Sequence, residues 1–177
     1  MKIILCGMPC SGKSIIGKAV ANKLGHIFID TDELISSAYF KLNGLHATCR
    51  EIYLKEGEVY FRDLESQVLT RLERDKNSVL ATGGGILCRQ ENIQVLKNLG
   101  LMFYLKIPSV ILYKRLINKP HLSSILDEGD IEESFKRMLE QRIPIYEKYC
   151  DFAVDAAAAN VLDVVIKYAS EGHCHGK

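Results

Sequence analysis

Short apolar segments alternate with longer segments of helical periodicity along the chain. Runs that are almost wholly apolar predict five strands, at 2–6, 27–29, 78–82, 101–105 and 151–154. Apolar residues spaced three or four apart predict helices at 13–24, 32–42, 48–56, 59–74, 90–98, 109–117, 131–149 and 160–169. Apolar strands that alternate with helices are typical of a parallel sheet covered on both faces, so we expect an α/β fold with three α/β/α layers.

No repeat, low-complexity segment or linker interrupts this alternation. The 177 residues are therefore expected to form a single domain over 1–177. The stretch 119–130 contains Pro120 and Gly129 among small polar residues, and it is predicted to be a loop.

Charge and composition exclude several classes of partner. The net charge is +1, from 23 basic and 22 acidic residues, so no bulk field attracts nucleic acid or an anionic membrane. No apolar run is long enough to span a membrane, and Gly7 and Pro9 interrupt the first one too early for a signal peptide. We expect a cytoplasmic protein with reduced cysteines, since its six cysteines form no CxxC pair. His173-Cys174-His175 is interpreted as a frayed tail rather than a metal site.

The clearest motif follows the first predicted strand. The run Gly7-Met8-Pro9-Cys10-Ser11-Gly12-Lys13-Ser14 has the GxxxxGKS pattern and opens the first predicted helix. In such a loop, backbone N–H groups and the helix N-terminus surround phosphate oxygens, the lysine reaches the β- and γ-phosphates, and the serine hydroxyl ligates Mg²⁺. The motif predicts nucleotide binding without distinguishing a kinase from a GTPase or ATPase. The guanine-reading Asn/Thr-Lys-x-Asp tetrapeptide is absent, which disfavours a GTPase.

Asp30-Thr31-Asp32 lies where the second predicted strand ends and a helix begins. Ligands of open α/β sheets bind at the carboxyl ends of strands, so one carboxylate could support Mg²⁺ and the other could accept a substrate proton. The alternative is that Thr31 or Asp32 is merely a helix N-cap.

Two helices carry arginines on their apolar faces. Glu65 falls within a stripe that includes Phe61 and Val68, and Arg62 lies one turn before it. This pair is either a structural ion pair or an anion-binding arginine held by a carboxylate. Arg142 extends the apolar stripe of the late helix, where it either binds an anion or reaches out to solvent.

Gly83-Gly84-Gly85 follows the third predicted strand. Three glycines permit either a tight turn or a close approach of the backbone to a ligand. Together with the two arginines, they favour a small acidic substrate.

These motifs resemble those of the shikimate kinase family over nearly the whole chain. The matching segments are GMPCSGKS at 7–14, DTD at 30–32, GEVYFRDLE at 57–65, TGGG at 82–85 and QRIPIYEKYCD at 141–151. The phosphate loop is shared by a vast superfamily, whereas the combination of the other motifs is specific. The resemblance implies a five-stranded parallel sheet in the order 2-3-1-4-5. It also implies ATP-dependent phosphorylation of the 3-hydroxyl of shikimate, in aromatic amino-acid biosynthesis.

The resemblance also implies roles for individual residues. The acceptor site would consist of Asp32 as hydroxyl ligand and base, Arg62 and Arg142 on the carboxylate, Glu65 orienting Arg62, and the backbone of Gly83, Gly84 and Gly85. ATP would be bound by Gly7, Met8, Pro9, Cys10, Ser11, Gly12, Lys13, Ser14, Ile15, Arg115 and Lys119. Ser14 would ligate Mg²⁺, with Asp30 acting through water, and the catalytic groups would be Lys13, Asp32 and Lys119.

The chain departs from the family in two places. The family's lid usually carries Arg-Pro-Leu, whereas the lid segment at 118–130 here reads Lys119-Pro120-His121-Leu122. Lysine can supply the arginine's charge but not its planar fork. Alanines at 156–159 stand where many relatives carry an adenine-facing arginine, which leaves Arg115 as a ring-stacking partner.

We therefore expect a monomer whose partners are ATP and shikimate, with Mg²⁺ as cofactor and no nucleic acid or membrane. The alternatives are another small-metabolite kinase, acting on gluconate or a nucleoside monophosphate, or a nucleotide-binding module that has lost its activity.

Overall fold

The computed structural model describes residues 2–73, 77–118 and 130–171. Within them, one all-parallel sheet of five strands has the order β2-β3-β1-β4-β5, which confirms the order implied by the resemblance. The strands are β1 Lys2–Cys6, β2 Ile27–Asp30, β3 Ser78–Ala81, β4 Gly100–Lys106 and β5 Phe152–Asp155. Lys119 and the His173-Cys174-His175 tail lie outside the described residues.

The helices lie close to their predicted positions. They are α1 Lys13–Leu24, α2 Thr31–Asn43, α3 Cys49–Thr70, α4 Gln90–Leu99, α5 Ser109–Ile117, α6 Ile131–Tyr149 and α7 Val161–Glu171. A short 3₁₀ turn at Ile86–Cys88 was not predicted. None of the described helices combines the length and the apolar character that a membrane span requires.

Helix α3 differs most from the prediction. The sequence predicts two helices, at 48–56 and 59–74, but the structure has one helical segment that ends at Thr70. The expected break survives as a kink at Gly57, where φ is +84° and ψ is 172°. Glycine tolerates this φ because it has no Cβ, so the chain changes direction without a loop.

Two faces of the sheet bury different residues of the same strands. Ile4, Leu80 and Met102 belong to a core on one face, whereas Ile3 and Val79 belong to a core on the other. This period of two follows from the pleat of the strands and confirms the three-layer α/β/α architecture. A third, smaller cluster lies between α2 and α3 and contains Ile35, Tyr39, Ile52, Phe61 and Leu64.

The parallel register brings the predicted motifs to one edge of the sheet. Lys2 pairs with Ser78, and Ile27 also pairs with Ser78, so β1, β2 and β3 end side by side. The loop 7–12, the start of α2 and the glycine run therefore meet at this edge.

Candidate active site

A cavity of about 940 Å³ opens at the carboxyl edge of the sheet. Among the residues that line it are most of the predicted site residues: Pro9, Cys10, Ser11, Gly12, Lys13, Ser14, Ile15, Asp30, Asp32, Arg62, Glu65, Gly83, Gly84, Gly85 and Arg115. Gly7, Met8 and Arg142 are not part of this lining. One cavity thus contains most of the phosphate loop and all of the predicted acceptor groups except Arg142.

The phosphate loop is shaped by backbone conformations that favour glycine. Gly7 has φ +145°, and a Cβ there would lie 3.0 Å from the carbonyl oxygen of Leu105. Gly12, at φ +92°, is the N-cap of α1. Cys10 also has a positive φ, +65°, a conformation that is uncommon for residues with a side chain.

Lys13 is buried beneath this loop. Its Nζ donates hydrogen bonds to the carbonyl oxygens of Gly7 at 2.9 Å and Met8 at 2.7 Å, and to Ser11 Oγ at 3.3 Å. Burial lowers the pKa of Lys13 from 10.5 to about 8, although the negative charge of Asp32 opposes this shift. The ammonium is therefore held at the loop where phosphates are expected.

Ser14 and Asp30 form a hydrogen-bonded pair of oxygen groups beside Lys13. Ser14 Oγ donates to Asp30 Oδ2 at 2.7 Å, while Asp30 Oδ1 accepts from the backbone N–H of Asp32 at 3.0 Å. Asp30 is thus the N-cap of α2, so the suggestion that Thr31 or Asp32 caps this helix was wrong. Asp30 takes the cap because it still has the extended backbone of β2, with φ −110° and ψ 125°.

The carboxylate of Asp32 faces the glycine run. A Cβ built on Gly83 would lie 3.0 Å from Asp32 Oδ1 and 3.3 Å from Glu65 Oε1. The N–H of Gly83 donates to Thr31 Oγ1 at 2.8 Å, and Cys49 Sγ donates to the carbonyl oxygen of Asp32 at 3.4 Å. The first contact holds the start of α2 against the end of β3, and the second holds it against the start of α3.

Arg62 and Glu65 form a buried ion pair. Arg62 Nη1 lies 2.9 Å from Glu65 Oε2, and the two residues are 8% and 1% exposed. Burial raises the pKa of Glu65, and the positive charge of Arg62 opposes the rise. The guanidinium also packs on the glycine run, since a Cβ at Gly85 would lie 2.6 Å from Arg62 Nη2.

Arg142 is a second buried arginine, on α6. It is only 5% exposed, and its Nη1 has no hydrogen-bond partner in the part of the chain that the structure describes. Its charge acts to lower the pKa values of Glu65 and Tyr146, so it is close to both residues. A buried guanidinium nitrogen without a partner is suited to an anion.

Arg115 approaches the phosphate loop from α5. Its Nη1 donates to the carbonyl oxygen of Cys10 at 3.1 Å, and its side chain lines the cavity beside Leu116 and Ala156. The stacking of Arg115 on an adenine ring stays a prediction.

Sequence reasoning missed several residues of the site. Tyr146 donates its hydroxyl proton to the carbonyl oxygen of Gly84, and Thr31 binds the N–H of Gly83. Arg50 and Tyr53 line the cavity from the start of α3. Tyr146 belongs to the matched motif at 141–151 and follows Arg142 by four residues, a spacing that places both on one helix face.

Comparisons with known proteins point to one family. Residues 9–171 match the sequence profile of the family described as "Shikimate kinase". A shikimate kinase from Thermodesulfovibrio yellowstonii is 37% identical over 172 residues, which cover 96% of this chain and 93% of that protein. The crystal structure of the Aquifex aeolicus shikimate kinase has 31% identity and a TM-score of 0.78, with 100% of both chains covered. The Acinetobacter baumannii shikimate kinase in complex with shikimate has 30% identity and a TM-score of 0.80, with 99% of this chain and 94% of that one covered.

Proposed function

The chain belongs to the shikimate kinase family, and we propose that its cavity binds ATP and shikimate side by side and transfers the γ-phosphate to the 3-hydroxyl. Membership of this family makes it an ATP-dependent kinase whose acceptor is a hydroxyl of shikimate. The family match decides against the gluconate and nucleoside monophosphate kinase alternatives.

One observation carries the assignment of residues. The Arg62 guanidinium, the Asp32 carboxylate and the glycine run converge in the cavity that also contains Lys13 and Ser14. A small acid with hydroxyl groups matches these neighbours, since the arginine complements a carboxylate and Asp32 accepts a hydroxyl proton.

Arg62 and Arg142 are the residues proposed to bind the carboxylate of the acceptor. Glu65 fixes one edge of the Arg62 guanidinium through Nη1, while Arg142 Nη1 is buried without a partner in the described residues. Two guanidinium groups would hold the ring of the acid in one orientation, which presents a single hydroxyl to Asp32.

Asp32 is the proposed base. As the 3-hydroxyl oxygen attacks the γ-phosphorus, its proton passes to the Asp32 carboxylate and the bond to the bridging β–γ oxygen breaks, which releases ADP. The Lys13 ammonium neutralises charge on the transferring phosphoryl group and on the departing diphosphate.

The residues beside Lys13 fit a magnesium ion. Ser14 Oγ and Asp30 Oδ2 are hard oxygen donors 2.7 Å apart in the cavity. Mg²⁺ is commonly bound by one or two protein oxygens and completes its shell with phosphates and water. Ser14 would hold it directly and Asp30 through water, and the bound ion would neutralise charge on the β- and γ-phosphates.

Further assignments rest on the sequence alone. Lys119 is proposed as the lid cation, and it lies outside the described residues. That the protein is a cytoplasmic monomer without nucleic acid or membrane partners stays a prediction.

The test is ADP release in a coupled assay with purified protein. ADP should form with shikimate, and not with gluconate or a nucleoside monophosphate. Arg62→Ala and Arg142→Ala should each raise the KM for shikimate about 10- to 100-fold, the effect of losing a charge-assisted hydrogen bond. Arg137→Ala is the matched control, because Arg137 is an exposed arginine on the same helix as Arg142. Tight ATP binding without turnover of any acid would instead indicate a module that has lost its activity.

A further inference from the structure

The glycine run is held from two sides by hydroxyl groups. Thr31 Oγ1 accepts the N–H of Gly83 at 2.8 Å, and the Tyr146 hydroxyl donates to the carbonyl oxygen of Gly84. Thr31 is fully buried and Tyr146 is 1% exposed, so water does not replace either contact readily. Pro9 packs against the same peptide, since a Cβ at Gly84 would lie 2.8 Å from Pro9 Cδ.

The Tyr146 contact determines where one backbone donor points. The carbonyl of Gly84 and the N–H of Gly85 belong to the same peptide unit, and the described chain has no cis peptide bond. In a trans peptide these two groups point in opposite directions. The Gly85 N–H is therefore directed away from Tyr146. Gly85 itself lines the cavity and packs against Arg62.

The Thr31 contact affects the neighbouring donor. The N–H of Gly83 is already bonded to Thr31, so it is engaged within the protein. All three glycines were expected to offer backbone groups to the acceptor. Because the Gly83 N–H is engaged, the N–H groups that can bind the acceptor are those of Gly84 and Gly85.

Tyr146 also connects the glycine run to α6. It lies four residues after Arg142, and its ring stacks on Tyr104 with the centroids 5.0 Å apart. Burial raises the pKa of Tyr146 far above its usual range, so its hydroxyl keeps its proton and remains a donor.

We propose that the hydroxyls of Tyr146 and Thr31 are positioning groups that fix the glycine run, and that the affinity of the acceptor site depends on both. This inference rests on the proposed function, because it takes the cavity beside Arg62 as the acceptor site. Neither hydroxyl is assigned a contact with the substrate.

Tyr146→Phe removes only the hydroxyl, and Tyr104→Phe is its matched control. Tyr104 belongs to the same buried ring stack, and its hydroxyl has no hydrogen bond to the residues that the structure describes. Tyr146→Phe should raise the KM for shikimate about tenfold, the scale expected when a buried carbonyl loses its partner, and leave the KM for ATP within about twofold. Tyr104→Phe should change neither KM by more than about twofold. A purely structural role for Tyr146 would lower the Tm and leave the KM for shikimate unchanged, and that result would overturn the inference.

Thr31 provides an independent test if Tyr146→Phe does not fold. Thr31→Val should raise the KM for shikimate about tenfold, and Thr31→Ser, which keeps the hydroxyl, should restore it. Equal effects of valine and serine would contradict the inference. Wild-type protein that ignores shikimate would overturn the proposed function, whereas an active wild type with unaffected variants would overturn only the positioning role.

Discussion

Glu65→Gln removes a single negative charge from the proposed acceptor site and keeps the shape of the side chain. The carboxylate is 1% exposed and its Oε2 lies 2.9 Å from Arg62 Nη1. A second acidic neighbour of Arg62 is Glu58, whose Oε1 is 3.8 Å from Nε on a side chain that is 64% exposed. The substitution therefore leaves Arg62 with a weak, solvated counter-charge.

The size of the effect follows from burial. Removing one partner of a buried ion pair typically costs about 3–5 kcal/mol. Because glutamine still accepts a hydrogen bond and Glu58 remains nearby, we expect the free energy of unfolding to fall by about 3 kcal/mol, at the low end of that range. The matched control is Asp63→Asn on the same helix, which breaks the exposed pair with Arg89 and should cost about 0–1 kcal/mol. The control pair is shorter, at 2.6 Å, so burial rather than distance accounts for the expected difference.

Urea unfolding measures the loss of stability. Steady-state kinetics measure the effect of the same variants on the KM for shikimate. Since Glu65 orients Arg62, the KM for shikimate should rise about tenfold in Glu65→Gln, equivalent to about 1.4 kcal/mol, and stay constant in Asp63→Asn. Equal losses of stability in the two variants would refute the burial argument. An unchanged KM would refute the orienting role of Glu65.

Further predictions concern the phosphate loop and the glycine run next to it. Since the pKa of Lys13 is about 8, kcat/KM for ATP should fall as the pH rises through that value. A kcat/KM that stays constant between about pH 7 and about 9.5 would contradict the need for a charged Lys13. The pKa of Lys13 in the folded protein, about 8, lies below the ordinary value of 10.5, so the unfolded chain binds more protons than the folded protein between these two pH values. The contribution of Lys13 to the free energy of unfolding should therefore increase as the pH rises from about 8 to 10.5. Gly84→Ala would place a Cβ 2.8 Å from Pro9 Cδ. We therefore expect the free energy of unfolding to fall by about 1–3 kcal/mol and the KM values for both substrates to rise. A variant with normal kinetics would rule out this close approach. Ser14→Ala should raise the Mg²⁺ concentration needed for half-maximal rate, whereas Ser14→Thr, which keeps the hydroxyl, should not. Identical Mg²⁺ titrations of the two variants would argue against Ser14 as a ligand next to Asp30.

Periodicity in the sequence was enough to locate the buried ion pair. Arg62 and Glu65 interrupt an apolar stripe, and polar residues in such positions need partners nearby. The same reasoning found Arg142, which is 5% exposed in the structure. The strand order, by contrast, came from the resemblance, because local patterns do not specify which strands are neighbours.

Contacts between distant parts of the chain could not be predicted in this way. Thr31 and Gly83 are 52 residues apart, and Tyr146 and Gly84 are 62 apart, so these hydrogen bonds depend on the packing of α2 and α6 against the end of β3. The alternative that Thr31 or Asp32 caps α2 was wrong because Asp30, Thr31 and Asp32 are all acceptable cap residues and the sequence alone does not choose among them. Only the backbone conformation at the end of β2 distinguishes Asp30 from the other two.

We propose that the acceptor is a small acid whose carboxylate is bound by Arg62 in the cavity next to the phosphate loop, together with Arg142 on α6. The most direct measurement compares kcat/KM for shikimate with that for its neutral carboxamide, in the wild type and in Arg62→Ala. We predict that the wild type prefers the acid by about 100-fold and that this preference falls by about tenfold or more in Arg62→Ala. Equal use of the acid and the amide by the wild type, or a preference that Arg62→Ala leaves unchanged, would contradict the account.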